Sequence, residues 1–292
     1  MINYINCIAH NSSEGNLLIG EAYTAMIDCG MAFCADETIK NVKNALDGRQ
    51  LDYILFTHTH YDHIGALPFF KEEWPQLRVV TSDTGAKVLL KDTPRRVIRE
   101  MSIVAAKANG GTFDAVYGDD VFKADITVKE GEAIELGGLT VKVIETPGHT
   151  RDSLSFLIPE LEILALSETP GVLMPDGSIH PCYLTSFADT INAIKKCSRI
   201  PHKYLSLPHQ GIVSREKSEG FFDKALAANI ACRDFIIDMN RENLDEEGMI
   251  NSFFQKYGSD VLLSYQPKEA FMINTSATIS CTLREKDTVL TL

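Results

Sequence analysis

The run Thr57-His58-Thr59-His60-Tyr61-Asp62-His63 constrains this chain more than any other stretch. It follows the apolar segment 51–57, which reads as a strand, and precedes a helical pattern that starts after Asp62. Side chains two apart on an extended chain point the same way, so His58 and His60 can face one cation. Asp62 and His63 lie where the chain turns into the helix and can face a neighbouring one. Crowding three imidazoles and a carboxylate beside an apolar strand is costly unless something pairs with them. A metal ion is the partner this pattern predicts, and a strand end gives the rigidity such a site needs.

The rest of the chain is ordinary globular material. A chain of 292 residues buries enough surface to fold without disulfides or a structural metal. Hydrophobic residues at 45% and charged residues at 23% exclude a disordered, collagen-like or disulfide-scaffold protein. Forty acidic against 28 basic residues give a net charge of −12, which argues against nucleic acid and anionic membrane surfaces as partners. The seven cysteines are odd in number, scattered and without a CxxC pair, as expected for free buried thiols in a reducing cytoplasm. The start MINYINCIAH has neither a basic nor an apolar leader region, and no stretch approaches a bilayer span. The expectation is a soluble cytoplasmic protein.

Short apolar runs at 2–9, 16–20, 22–27, 51–57 and 78–81 read as strands, with helical patterns at 35–46, after Asp62 and from Asp83. Alternation of this kind points to an α/β fold with helix-covered sheets. A further helix is punctuated by Thr93 as N-cap, Pro94 at the first helical position and Asn109-Gly110-Gly111 as the stop. Residues 111–125 carry no clear period, and 126–166 return to strands separated by turns. After Ser214 the pattern turns helical, with one apolar stripe through Phe222, Leu226, Ile230 and Ile237 and another through Met249, Ile250, Phe253, Phe254 and Tyr257. The chain therefore divides near residue 215 into an α/β body and a helical extension, 216–292.

The run His58-Thr59-His60-Tyr61-Asp62-His63 resembles the metal-binding signature of the metallo-β-lactamase superfamily, and the remaining elements of that pattern follow in register. Asp28, in the turn after an early strand, matches the first acidic position. His149 in Thr146-Pro147-Gly148-His149-Thr150 matches the third-motif histidine, and His209 in Leu207-Pro208-His209-Gln210-Gly211 the last one. Glu168, at the end of the strand EILALSE, stands where the family usually has an aspartate between two metals. The resemblance covers about residues 1–215.

It implies a four-layer αββα sandwich with a C-terminal helical extension, and two divalent transition-metal ions, zinc first with iron or manganese as alternatives. His58, His60 and His149 would hold one metal and Asp62, His63 and His209 the other, with Glu168 and a hydroxide between them. Asp62 and Glu168 would be the catalytic residues, and the hydroxide would attack a small ester, foremost a thioester. Such a water can ionise near neutral pH, and a metal pair can also polarise the substrate oxygen. The extra methylene of Glu168 leaves three outcomes open: a shifted pair, a lost metal, or a preference for iron or manganese. Two other functions stay in view, a mononuclear iron enzyme of the persulfide-dioxygenase kind and a weakly catalytic ligand-binding regulator.

Asp28 reads either as a partner that orients a ligand histidine or as a plain turn residue. His10, His180 and His202 have no motif partners and read as structural or exposed. Arg95, Arg96 and Arg99 read as a solvated helix face, with contact to an anionic substrate as the alternative. Residues 94–125 are expected to cap one side of the site, and the terminal helices to wall the pocket or form a homodimer surface.

Overall fold

The computed structural model describes residues 4–10, 13–113 and 117–288. Its strands form two six-stranded sheets among these residues. The first runs in chain order through β1 (Tyr4–Asn6), β2 (Asn16–Ile19), β3 (Thr24–Ile27), β4 (Tyr53–Leu55), β5 (Arg78–Ser82) and β6 (Ile126–Val128). The second contains β7 (Ala133–Glu135), β8 (Thr140–Glu145), β9 (Leu154–Ile158), β10 (Ile163–Ala165), β13 (Tyr204–Leu207) and β14 (Gly211–Ile212). A small hairpin of β11 (Val172–Leu173) and β12 (Ile179–His180) lies between β10 and β13 in sequence.

Alternation along the strands builds the layers. Leu18, Ala25, Ile27, Leu55 and Val80 face the second sheet and pack with its Val141, Val143, Leu154, Phe156 and Ile163. Their neighbours Leu17, Met26, Ile54 and Val79 face outward and are covered by α1 (Ala35–Leu46), α3 (Leu67–Glu73) and α5 (Asp92–Ala108). Ile144, Leu164, Leu205 and Leu207 cover the other outer face with α6 (Phe187–Cys197) and α8 (Phe221–Arg241). The expected αββα sandwich is the result. A fourth cluster joins Tyr183, Phe187 and Ile191 to α8, α9 (Glu246–Tyr257) and α11 (Lys268–Arg284) through Ile236, Phe253, Phe271 and Ile279.

Strand direction decides where a site can form. Strand β3 pairs β4 in parallel, so both end at the same edge of the first sheet. Strands β8 and β10 both run antiparallel to β9, and β13 runs parallel to β10, so these three also share one edge. The two edges meet where the Leu154 amide donates to the Thr57 carbonyl at 2.7 Å.

Two local details differ from the sequence reading. The helix expected from Thr93 starts at Asp92, with Lys91 at the cap and no side-chain capping bond. Pro94 then sits third in the helix, still within the first turn, where an amide has no intrahelical acceptor to lose. The segment 94–125 belongs to the crossover between neighbouring parallel strands β5 and β6. No helix among the described residues is long and apolar enough to cross a membrane.

Candidate metal centre

Every residue of the two ligand sets lies on a loop or short turn that follows a strand end at this shared edge. After β4 the chain bends at Thr57, is extended at His60 (φ −79°, ψ 152°), then makes the single turn α2 (Tyr61–Ile64) that carries Asp62 and His63. The Cys29 and Gly30 amides donate to the His63 carbonyl at 2.8 and 3.0 Å, so the turn after β3 clamps this segment. His149 is delivered by Gly148, whose φ of +142° suits glycine; a Cβ there would lie 2.8 Å from the Thr190 amide nitrogen. His209 itself adopts φ +63° between β13 and β14. Its amide donates to the buried carboxylate of Glu14, which also accepts from the Asn16 amide group.

These loops assemble two adjoining groups of ligand atoms. The nitrogens of His58, His60 and His149 with a Glu168 oxygen lie within 4.8 Å of one another, as do the ligand atoms of Asp62, His63, Glu168 and His209. Glu168 belongs to both. Its Oε2 is 2.9 Å from His149 Nε2, while its Oε1 is 2.7 Å from His209 Nε2 and 3.6 Å from His63 Nε2. Asp62 Oδ2 stands 3.7 Å from His63 Nε2 and 3.8 Å from His209 Nε2. The Nε2 atoms of His58 and His63 are buried and have no hydrogen-bond partner. Buried nitrogens left open beside converging carboxylates are what a cation would complete, and an imidazole–carboxylate donor set suits zinc, iron or manganese.

Hydrogen bonds decide which nitrogen each ring presents. Asp28 is fully buried and accepts from His63 Nδ1 at 2.8 Å, from the Thr57 amide at 2.8 Å and from Thr57 Oγ1 at 2.7 Å. With its hydrogen given to Asp28, Thr57 Oγ1 accepts from His58 Nδ1 at 3.1 Å. One carboxylate therefore fixes two rings with their Nε2 lone pairs turned inward. His149 Nδ1 donates to the Cys182 carbonyl at 2.5 Å, which does the same for the third ring.

Burial, then neighbouring imidazoles, hold His58 well below the ordinary histidine value, and burial with His149 brings His60 down to about 3. Both are neutral, the form that binds metal. Burial also opposes the charged forms of His63 and His209, but the Asp62 and Asp28 carboxylates around the first and Glu168 beside the second outweigh it and raise both. Glu168 resists burial in turn, since His149, His209 and His63 hold it well below the usual carboxylate range.

A cavity of about 140 Å³ opens over these atoms. Val97 and Met101 of α5 form one wall, and Leu262 and Tyr265 of α10 (Asp260–Tyr265) with Ile273 of α11 form the other.

The metallo-beta-lactamase superfamily model matches residues 16–167, more than half of the chain. The chain belongs to the metallo-β-lactamase superfamily. A metallo-beta-lactamase fold-containing protein of Sulfurisphaera tokodaii is 29% identical over 218 residues, 72% of this chain and 77% of its own. A hydroxyacylglutathione hydrolase of Rhodopseudomonas palustris is 28% identical over 123 residues, 42% of this chain but 35% of its own. The crystal structure of a metallo-beta-lactamase family protein from Thermus thermophilus shares the fold at 17% identity, with a TM-score of 0.61 over 98% of this chain and 94% of that one.

Within this superfamily fold, all seven residues singled out as ligands, His58, His60, Asp62, His63, His149, Glu168 and His209, come together. Asp28 proves to be the orienting partner rather than a plain turn residue. Of the unassigned histidines, His180 lines the cavity, where burial brings it down to about 4, while His202 Nδ1 bonds the Ile200 carbonyl at 2.7 Å. Arg95 donates to the Leu89 and Phe122 carbonyls and Arg99 pairs with Asp119, so both are engaged within the protein, while Arg96 stays on the exposed helix face beside Glu100. Glu14 and the Cys182 carbonyl were not legible, because nothing in their local sequence announces a contact with a distant histidine.

Proposed function

We propose that the chain is a dinuclear metal-dependent hydrolase acting on a small ester, a thioester foremost, with zinc as the first-choice metal and iron or manganese as alternatives. The observation that carries this reading is Glu168, whose two oxygens address the two ligand groups separately. His58, His60 and His149 would hold one ion, and Asp62, His63 and His209 the other. Divalent metals bound there activate water at neutral pH and polarise a carbonyl. The protein's share is to fix the Nε2 lone pairs through Asp28, Thr57 and the Cys182 carbonyl, and to hold the Asp62 carboxylate, a ligand that can also take up a proton, against the cavity. Residues 1–215 form the metal-binding body in this reading, and 216–292 the extension that walls the cavity. Hydroxyacylglutathione hydrolase among the relatives supports thioester chemistry, although the match spans about a third of that protein.

Elemental analysis of protein purified without chelators, coupled to a panel of thioesters, lactones and phosphodiesters, tests the proposal. About two metals per chain with thioester turnover supports it. One iron per chain that persists after reconstitution with zinc and manganese, with oxygen consumption on a persulfide, would replace it with mononuclear iron chemistry.

A further inference from the structure

A second concavity joins the metal centre and differs from the first in character. It holds roughly 560 Å³ between α4 (Asp83–Leu89), the start of α5 and the turn at 150–152, and shares His60, Tyr61 and Val97 with the cavity over the ligands. Lys87, Lys91 and Arg151 line it; all three are exposed, and none forms an ion pair with a described residue. Asp152 is the only acid lining the groove among the described residues, so the charge there is about +2 in a chain whose net charge is −12. The 17-residue helix α5 begins at this groove without a side-chain cap, and its second and third residues, Thr93 and Pro94, belong to the lining. The positive end of the helix dipole adds to the same field, offset in part by the Asp92 carboxylate in that first turn.

We propose that this groove binds the anionic group of the substrate while the cavity over the ligands takes its acyl part, with the scissile bond over the shared His60–Tyr61 corner. The inference rests on the hydrolase reading above and narrows it to amphipathic substrates bearing a carboxylate or a phosphate. Its physical basis is position: Lys87, Lys91 and Arg151 line a groove that is continuous with the cavity over the metal ligands. Arg95 and Arg99 on α5 bond within the protein, whereas Lys87, Lys91 and Arg151 beside the site have no ion-pair partner among the described residues. Cations at a cleft of opposite sign to the rest of the molecule also concentrate anionic ligands there.

The test uses the full-length, zinc-loaded protein and one acyl group, hexanoyl, on three thiols: neutral N-acetylcysteamine, 3-mercaptopropionate with one carboxylate, and coenzyme A with its phosphates. The wild type should prefer at least one anionic thioester over the neutral one in kcat/KM, and the favoured thiol tells carboxylate from phosphate. Combined Lys87→Ala, Lys91→Ala and Arg151→Ala substitutions should cut that preference about tenfold, mainly through KM, as three exposed charge contacts imply. About 0.5 M salt should cut it likewise. Calorimetric binding of the corresponding S-hexyl thioethers, which are not hydrolysed, should weaken about tenfold for the anionic compound in the triple variant. Turnover that ignores substrate charge, with no change in the triple variant, overturns the groove assignment and leaves the hydrolase reading standing. No thioester turnover, with thioether binding still dependent on the three cations, overturns the hydrolase reading and keeps the groove.

Discussion

Asp28→Asn isolates the orienting network from the ligands themselves. Asparagine tolerates the left-handed backbone found at this position (φ +56°), so the turn is preserved. The amide cannot do the work of the carboxylate. If its nitrogen replaces Oδ1 it meets the Thr57 N–H, and if it replaces Oδ2 it meets the donors on His63 Nδ1 and Thr57 Oγ1, all now at 2.7–2.8 Å. Either orientation sets donor against donor in a fully buried place, a loss of about 1–3 kcal/mol. The second orientation finds relief only if His63 moves its proton to Nε2, which removes the lone pair a metal needs. Metal affinity should fall about 10–100-fold, and the metal-free protein should melt lower by about 2–4 °C for each kcal/mol lost. Chelator competition gives the affinity and thermal melting the stability. A folded variant with wild-type affinity would falsify the claim that Asp28 sets the ring tautomers.

Glu168→Asp shortens the reach by about 1.5 Å, so it should pull the carboxylate away from His149 or His209 and lower stoichiometry from about two metals to about one; unchanged stoichiometry would show that the longer side chain is not needed. Metal binding at neutral pH should release protons, since His63 and His209 are held above the ordinary value and must be neutral to ligate; calorimetry in buffers of different ionisation enthalpy reads the number, and a buffer-independent enthalpy refutes it. Gly148→Ala should cost more than about 2 kcal/mol and weaken metal binding, because its Cβ would meet Thr190 backbone. In thiol titration of the native protein at pH 8, Cys7, Cys197 and Cys232 should stay silent, being buried and pushed up to about 11, 12 and 12, and should react once the chain is unfolded.

What could be read from the sequence follows the range of each interaction. The ligands of residues 58–63 are legible because their spacing alone puts four donors on one strand end and turn. His149, Glu168 and His209 become legible through the family pattern, since each sits in a recognisable loop after an apolar strand. The layers are legible where alternation is clean, as at Leu17–Leu18 and Ala25–Met26–Ile27. Contacts made by topology are not. Glu14 meets the His209 amide across 195 residues and the Cys182 carbonyl meets His149 across 33, with no local signature at either end. Charge pairing is equally silent in one dimension. Arg95, Arg96 and Arg99 read as a solvated face with anion contact as the alternative, while the cations that line the groove beside the site are Lys87, Lys91 and Arg151, and only the fold distinguishes the two sets.

The charge count at the centre bears on how many ions it holds. Glu14, Asp28 and Glu168 are buried, with Asp62 nearly so, and five imidazoles surround them. Four ionised carboxylates in one water-poor region would be prohibitive without compensation. One dication balances half of that charge, and two balance all of it with every histidine neutral. The alternative source of positive charge is protons, and the shifts run that way: His63 and His209 are raised, and burial brings Glu14 up to about 7. These groups lie in or against the second ligand set, whereas His58 and His60 in the first are pushed the other way, towards neutrality. At neutral pH His58 and His60 of the first set are therefore prepared for a cation, and the second set offers its cation a place that protons otherwise contest. Glu168, whose carboxylate reaches both, ties the two together, so occupancy of one set alters the field at the other.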